Sequence, residues 1–256
     1  MKGKEGGSLI NSTLTGFSNC AQLLSGTSHN SMKDIPINGT VYGTLLNYKS
    51  SYSELEPHMK NQPYQKPPEA PILYIKPRNT YNHHQGTIRL PNGINQIQIG
   101  PALGLVIGKT AVSVPEDHAM QYIEGYTILN DVSLQHDSLY RPPIRFNARD
   151  GFCPIGPVVR KANLVQDPHN LEIKVYVNGQ LIQTANTNEL IRPIPILLKD
   201  VTEFMTLYPG DVLMIGTPNN RPFVHEGDKV RIEIDQIGSL ENHVLSFNRT
   251  EQEGNR

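Results

Sequence analysis

Asp131 follows Asn130 inside the apolar run "YTILNDVS", where a carboxylate is out of keeping with its neighbours. Asp is rarely buried without a partner, so this residue either caps a strand end or serves a site. Arg149 and Asp150 stand just before "GFCPIGP", a loop of small and rigid residues, and form either a local ion pair or part of a pocket. His83, His84 and His136 have no ligand spacing to other His or Cys, which argues against zinc. Cys153 reads as a small buried apolar residue. His225 and Glu226 read as solvated loop. No glycine-rich phosphate loop precedes a helix, and "GTP" at 216–218 carries no nucleotide signal.

A second chemical feature is a gap. Residues 70–115 contain no Asp or Glu, while Lys76, Arg78, Arg89 and Lys109 fall inside that span. Within it, "QIQIGPALGLVIGK" (96–109) reads as one buried strand, apolar at Ile97, Ile99, Leu103, Leu105, Val106 and Ile107. The whole chain shows no such bias. Its 256 residues carry 23 Lys plus Arg against 24 acids, so no net field selects nucleic acid or an anionic membrane as partner. Two distant cysteines, Cys20 and Cys153, suit a reducing compartment. No apolar run approaches the roughly 18 residues of a membrane span, and the polar start "MKGKEGGSLINSTLTG" lacks a signal-peptide core. These features predict a cytoplasmic protein.

The elements that must position such residues are short. Twenty prolines and 21 glycines call for many turns, hence many strands and few helices. Residues 1–37 read as a polar, weakly ordered extension, 38–248 as one domain and 249–256 as a polar tail. Strands are expected at 40–48, 70–77 and 126–133. A short helix is expected to begin near Ser50 or Ser51, with Pro57 limiting it, in a segment suited to a mobile lid. Ser113 and Glu116 suggest a capping box opening a helix that Gly125 stops. "EIKVYVNGQLIQTAN" reads as a hairpin turning at Asn178-Gly179. Leu198, Val201, Phe204 and Met205 lie at helical spacing ahead of Pro209-Gly210, and strands follow in "DVLMIGTP" and "DKVRIEIDQIG". The fold class is α+β, mainly β, without βαβ alternation.

Four stretches then occur in order: "VIGKTAVSVPEDHAMQYIEGYTILNDVS", "YRPPIRFNARDGFCPIGP", "VNGQLIQTANTNELI" and "EFMTLYPGDVLMIGTP". Together they resemble the fumarylacetoacetate hydrolase family, and "LNYKSSYSELE", "YIKPRNT" and "ENHV" extend the likeness to about 38–245. Within the family the likeness is strongest to isomerase/decarboxylases of 4-hydroxyphenylacetate breakdown, built of two related halves, and to the first half. The resemblance implies mixed β-sheets rolled around a small pocket. It also implies Mg²⁺ or Mn²⁺ held by a Glu-x-Glu pair and the Asp of "NDxS", chelating a 2-oxo acid and stabilising its enolate. A lysine, and a His–Glu pair on a lid, complete such a site.

Carried onto this chain, the Glu-x-Glu positions are Gly100 and Ala102, and the remaining metal ligand is Asp131. The lysine position is Asn147 and the lid histidine position is Ser51, whereas the lid glutamate is present as Glu54. Gly and Ala offer no side-chain oxygen, Asn147 no cationic donor, and Ser51 is a poor base. Glu54 and Asp131 are thus catalytic remnants, with Lys76, Arg141, Arg149 and Thr217 as candidates for binding substrate. The resemblance implies a 2-oxo or 2-hydroxy dienoate dicarboxylate as substrate, and a homodimer or an assembly with a catalytic paralogue. The alternatives are a non-catalytic structural or binding member, and another hydrolase or decarboxylase of the family acting alone.

Overall fold

The structure, a computed structural model, describes residues 35–62, 66–136 and 144–246. The proposed 1–37 extension and 249–256 tail therefore lie almost wholly outside the described residues. Fifteen short strands dominate the described residues. A six-stranded mixed sheet runs in the order β2 (Ile72–Lys76), β1 (Val41–Leu45), β12 (Val212–Met214), β6 (Pro101–Ile107), β7 (Ile123–Asn130) and β9 (Arg160–Lys161). Only its β1–β12 pair is parallel. A five-stranded sheet runs β11 (Gln180–Asn186), β10 (Glu172–Val177), β14 (Lys229–Ile234), β15 (Gly238–Ser246) and β4 (Thr87–Leu90). Two small ribbons pair β13 (Phe223–His225) with β5 (Gln96–Gln98), and β3 (Tyr81–Asn82) with β8 (Cys153–Pro154). The α-helices are α1 (Lys49–Leu55), α2 (Ile144–Asn147) and α3 (Ile194–Phe204). No described helix is long and apolar enough to cross a membrane.

The acid-free core of the 96–109 run, residues 101–107, is explained by β6. Every residue of this strand is buried. Leu103, Leu105 and Ile107 face the larger core, while Ala102 and Val106 face a smaller cluster with Tyr74, Leu129 and Cys153. A strand covered on both faces has no side on which to place a carboxylate at tolerable cost. The alternation is thus apolar on both sides, and it hides the period of two that a half-exposed strand displays.

The run 96–109 is nevertheless two strands in different sheets. Gln98 bridges to Ser133, Ile99 N–H donates to the Pro222 carbonyl, and the chain then turns at Gly100 into β6. The expected capping box is also replaced. Ser113 has φ 44°, its N–H donates to the Thr202 carbonyl, and Pro115 leads into a 3₁₀ run, Glu116–Tyr122. Gly125 does not stop that run but lies inside β7, where a Cβ would strike the Arg160 carbonyl. The locally encoded elements hold. The β10–β11 hairpin turns at Asn178 (φ 52°) and Gly179 (φ 82°), the pair of positive angles a type I′ turn needs. Helix α1 passes at Pro57 into a 3₁₀ turn, Glu56–His58, and buries none of its residues.

Candidate functional site

Asp131 is the first residue past β7 and is 4% exposed. Strand β2 aims two side chains at it from alternate positions. The Tyr74 hydroxyl donates to Oδ2 at 2.7 Å, and Lys76 Nζ lies 2.6 Å from Oδ1. Tyr74 reaches this place because its cross-strand partner is Gly43; a Cβ there would occupy the position of the phenol ring. Lys76 is fully buried, and its ammonium donates to the carbonyls of Val132 (3.0 Å), Asn147 (2.9 Å) and Phe152 (3.0 Å). An ammonium has three donors. All three are spent on these carbonyls, so its contact with Oδ1 is Coulombic rather than a further hydrogen bond.

Arg221 closes the cluster from the other side. Its Nη2 donates to the Asp131 backbone carbonyl and stands 4.0 Å from Oδ2, and its Nε donates to the Ile99 carbonyl at 3.3 Å. Burial alone would raise the Asp131 carboxyl, but the charges of Lys76 and Arg221, with the hydrogen bond from Tyr74, outweigh it and hold the group below its usual range. The Tyr74 hydroxyl moves the opposite way, raised by burial and by the adjacent carboxylate. Burial pushes the nearby Cys153 thiol up to about 12.

A divalent cation does not fit this arrangement. Gly100 N–H donates to Asn130 Oδ1 and its carbonyl accepts from Asp131 N–H, so its backbone is stitched against the Asp131 turn. A Cβ on Gly100 would come within 2.6 Å of the Asp131 carbonyl and 2.8 Å of Arg221 Nη2. A side chain at position 100 would therefore require Arg221 or the Asp131 turn to move from the places they hold here. Ala102 is fully buried in the apolar cluster beside Tyr74. Among the described residues no group of three His, Cys, Asp or Glu side chains could hold a metal ion. Two unit charges 4 Å apart interact by about 4 kcal/mol at an effective dielectric near 20. A dication doubles that, so whatever Asp131 offers, Lys76 alone cancels, and Arg221 leaves net repulsion.

The sequence candidates divide among three places. Ser51, Glu54 and Thr217 line a cavity of about 510 Å³ together with Gln98, His136 and Arg221. Ser51 Oγ donates to the Thr217 carbonyl at 3.1 Å, which ties α1 over this cavity. Lys76 lies behind the cavity wall with Asp131. Asn147 is buried and contributes its backbone carbonyl to Lys76. Arg149 is elsewhere, on a separate hollow with Arg89 and Asp150, its Nε donating to the Arg145 carbonyl. Arg141 lies outside the described residues. Sequence reasoning missed Tyr74 and Arg221. Tyr74 had a signal, because it precedes Lys76 by two in a strand and so shares its face. Arg221 had none, since it follows a loop whose path the sequence does not set.

Comparison with known proteins agrees with this architecture. The model of the family described as "Fumarylacetoacetate (FAA) hydrolase C-terminal" matches residues 40–245. The chain is 41% identical over 210 residues to the 4-hydroxyphenylacetate degradation bifunctional isomerase/decarboxylase of Salmonella dublin, covering 81% of this chain and 47% of that protein. It thus spans about half the length of the curated relatives that it matches first. Among solved structures, the 5-carboxymethyl-2-hydroxymuconate delta-isomerase of Mycobacterium smegmatis superposes with a TM-score of 0.70 at 31% identity, covering 84% of this chain and 82% of that one. The maleylpyruvate hydrolase of Sphingobium sp. SYK-6, solved with manganese(II) and pyruvate, gives 0.68 at 29% identity, with 83% and 72% covered. With the family model matching four-fifths of its length and the same strand-rich fold around the cavity, the chain belongs to the fumarylacetoacetate hydrolase family.

Proposed function

We infer that this chain is one half of an isomerase/decarboxylase that acts on 2-oxo or 2-hydroxy dienoate dicarboxylates in 4-hydroxyphenylacetate catabolism, and that the metal-assisted step belongs to a related half. The observation that carries this reading is the Lys76–Asp131 pair beneath an Arg221 that occupies the space of a position-100 side chain. Enolate chemistry of this class needs a concentrated positive charge that can bind two substrate oxygens at once, and a lone carboxylate already neutralised by lysine does not assemble one. The likeness to one half of a two-half enzyme, and the retention of a lid and cavity, support a chain that works with a catalytic paralogue rather than one that has lost its pocket.

Isothermal titration of the purified chain with Mn²⁺ should show no binding at micromolar concentration, and dienoate turnover should appear only when a Glu-x-Glu-bearing relative is added. Micromolar Mn²⁺ affinity, or turnover by the chain alone, would overturn this assignment.

A further inference from the structure

At the place where the family resemblance implies carboxylates and a dication, this chain has one carboxylate and two fixed cations. Asp131 carries one negative charge; Lys76 and Arg221 carry two positive ones. The ammonium is fully enclosed with all three donors used. The guanidinium is not. Its Nε and Nη2 are held by the backbone of Ile99 and Asp131, its Nη1 has no hydrogen-bond partner among the described residues, and its side chain is 21% exposed to the cavity it lines. An arginine fixed on one edge with its other edge open to a cavity is a preorganised seat for a carboxylate, because the guanidinium fork matches two oxygens and loses little freedom on binding.

Building on the reading of the site as metal-free, we propose that Arg221 makes the cavity under α1 a metal-independent binding site for a small carboxylate. The excess positive charge at the cavity floor is what the ligand neutralises. Gln98 and the Thr217 strand end supply polar neighbours on the same wall, and Phe223 and Leu55 supply an apolar side for a short carbon chain. Glu54 lines the same cavity from the lid and opposes an anion, but it is exposed and its field is screened by water and salt. Gly100 belongs to the device, since a Cβ there would crowd both the guanidinium and the Asp131 carbonyl.

Calorimetric titration of the full chain with oxalate, succinate and inorganic phosphate, in EDTA and again with Mn²⁺, tests the proposal. Oxalate or succinate should bind in EDTA with an affinity that Mn²⁺ leaves unchanged. Arg221→Gln should weaken binding by about 10- to 100-fold, the scale of a lost charge-assisted pair. Arg221→Lys, which keeps the charge and loses the fork, should fall in between, and it carries the test if the Gln variant does not fold. Absence of carboxylate binding in both media overturns the proposal and leaves the metal-free reading standing. Binding that appears only with Mn²⁺ overturns both. Carboxylate binding that neither Arg221 variant weakens, or binding of phosphate alone, overturns the assignment of Arg221 to carboxylate.

Discussion

Removal of the Lys76 ammonium would leave the Asp131 carboxylate buried, with one hydrogen bond from Tyr74 and a guanidinium 4.0 Å away. It would also strand three carbonyls, from the segment after β7, the end of α2 and the approach to β8. A buried ion pair adds little over an apolar replacement of both partners, but loss of one partner is severe. Lys76→Met should therefore cost about 3–5 kcal/mol of unfolding free energy in urea melts, and Lys76→Met combined with Asp131→Asn should cost less than the two changes summed. A loss under about 1 kcal/mol would show that Lys76 is not the partner that neutralises Asp131. Lys76 was legible from sequence as a cation of interest, but its neighbours were not, because Asp131 and the three carbonyls reach it from segments far apart in the chain.

The strands and helices divide by how they are held. Strand β6 is fixed by two apolar faces, and the β10–β11 hairpin by its own turn. Helix α1 is fixed by very little. It buries no residue, its N-terminal residue has no side-chain cap, and its links include Tyr52 N–H to the Tyr48 carbonyl and Ser51 Oγ to the Thr217 carbonyl. Such an element opens at low free energy independently of the core. Ser51→Ala should change global stability by no more than about 1 kcal/mol, the worth of one part-buried hydrogen bond, yet speed amide hydrogen exchange across 49–55. Unchanged exchange there would show that Ser51 does not tether the lid. The short helix was readable from Ser50, Ser51 and Pro57, and its tether was not, since Thr217 arrives from the segment after β12.

Among the described residues, five buried or half-buried acids titrate late: Tyr48, Tyr74, Tyr81, Tyr126 and Cys153. Burial raises the Cys153 thiol to about 12 and the Tyr126 phenol to about 12, and burial, with smaller charge effects, does the same for Tyr81. In the unfolded chain the thiol ionises near 9 and the phenols near 10. From about pH 9 upward the unfolded chain therefore holds fewer protons than the native one, and stability falls as pH rises toward 12. Melting temperature should decline progressively between pH 9 and 11, and Cys153→Ala should remove the earliest part of that decline. A melting temperature flat from pH 7 to 11 would contradict the burial of these groups.

By itself the sequence determined the mainly β fold, the turn at Asn178-Gly179 and the family likeness, and it set Gly100 and Ala102 where that likeness implies a Glu-x-Glu pair. These depend on residue type and on short spacing, which the chain displays directly. It did not decide where 96–109 breaks, or that Ser113 serves a loop instead of a helix cap, because hydrogen bonds to the Pro222 and Thr202 carbonyls settle those conformations. Nor did it decide what took the place of the lost ligands. The resemblance implies carboxylates where the sequence has Gly100 and Ala102, and only the tertiary structure sets an ammonium and a guanidinium around Asp131, since charge at a site is a sum over groups that folding alone brings within a few ångströms.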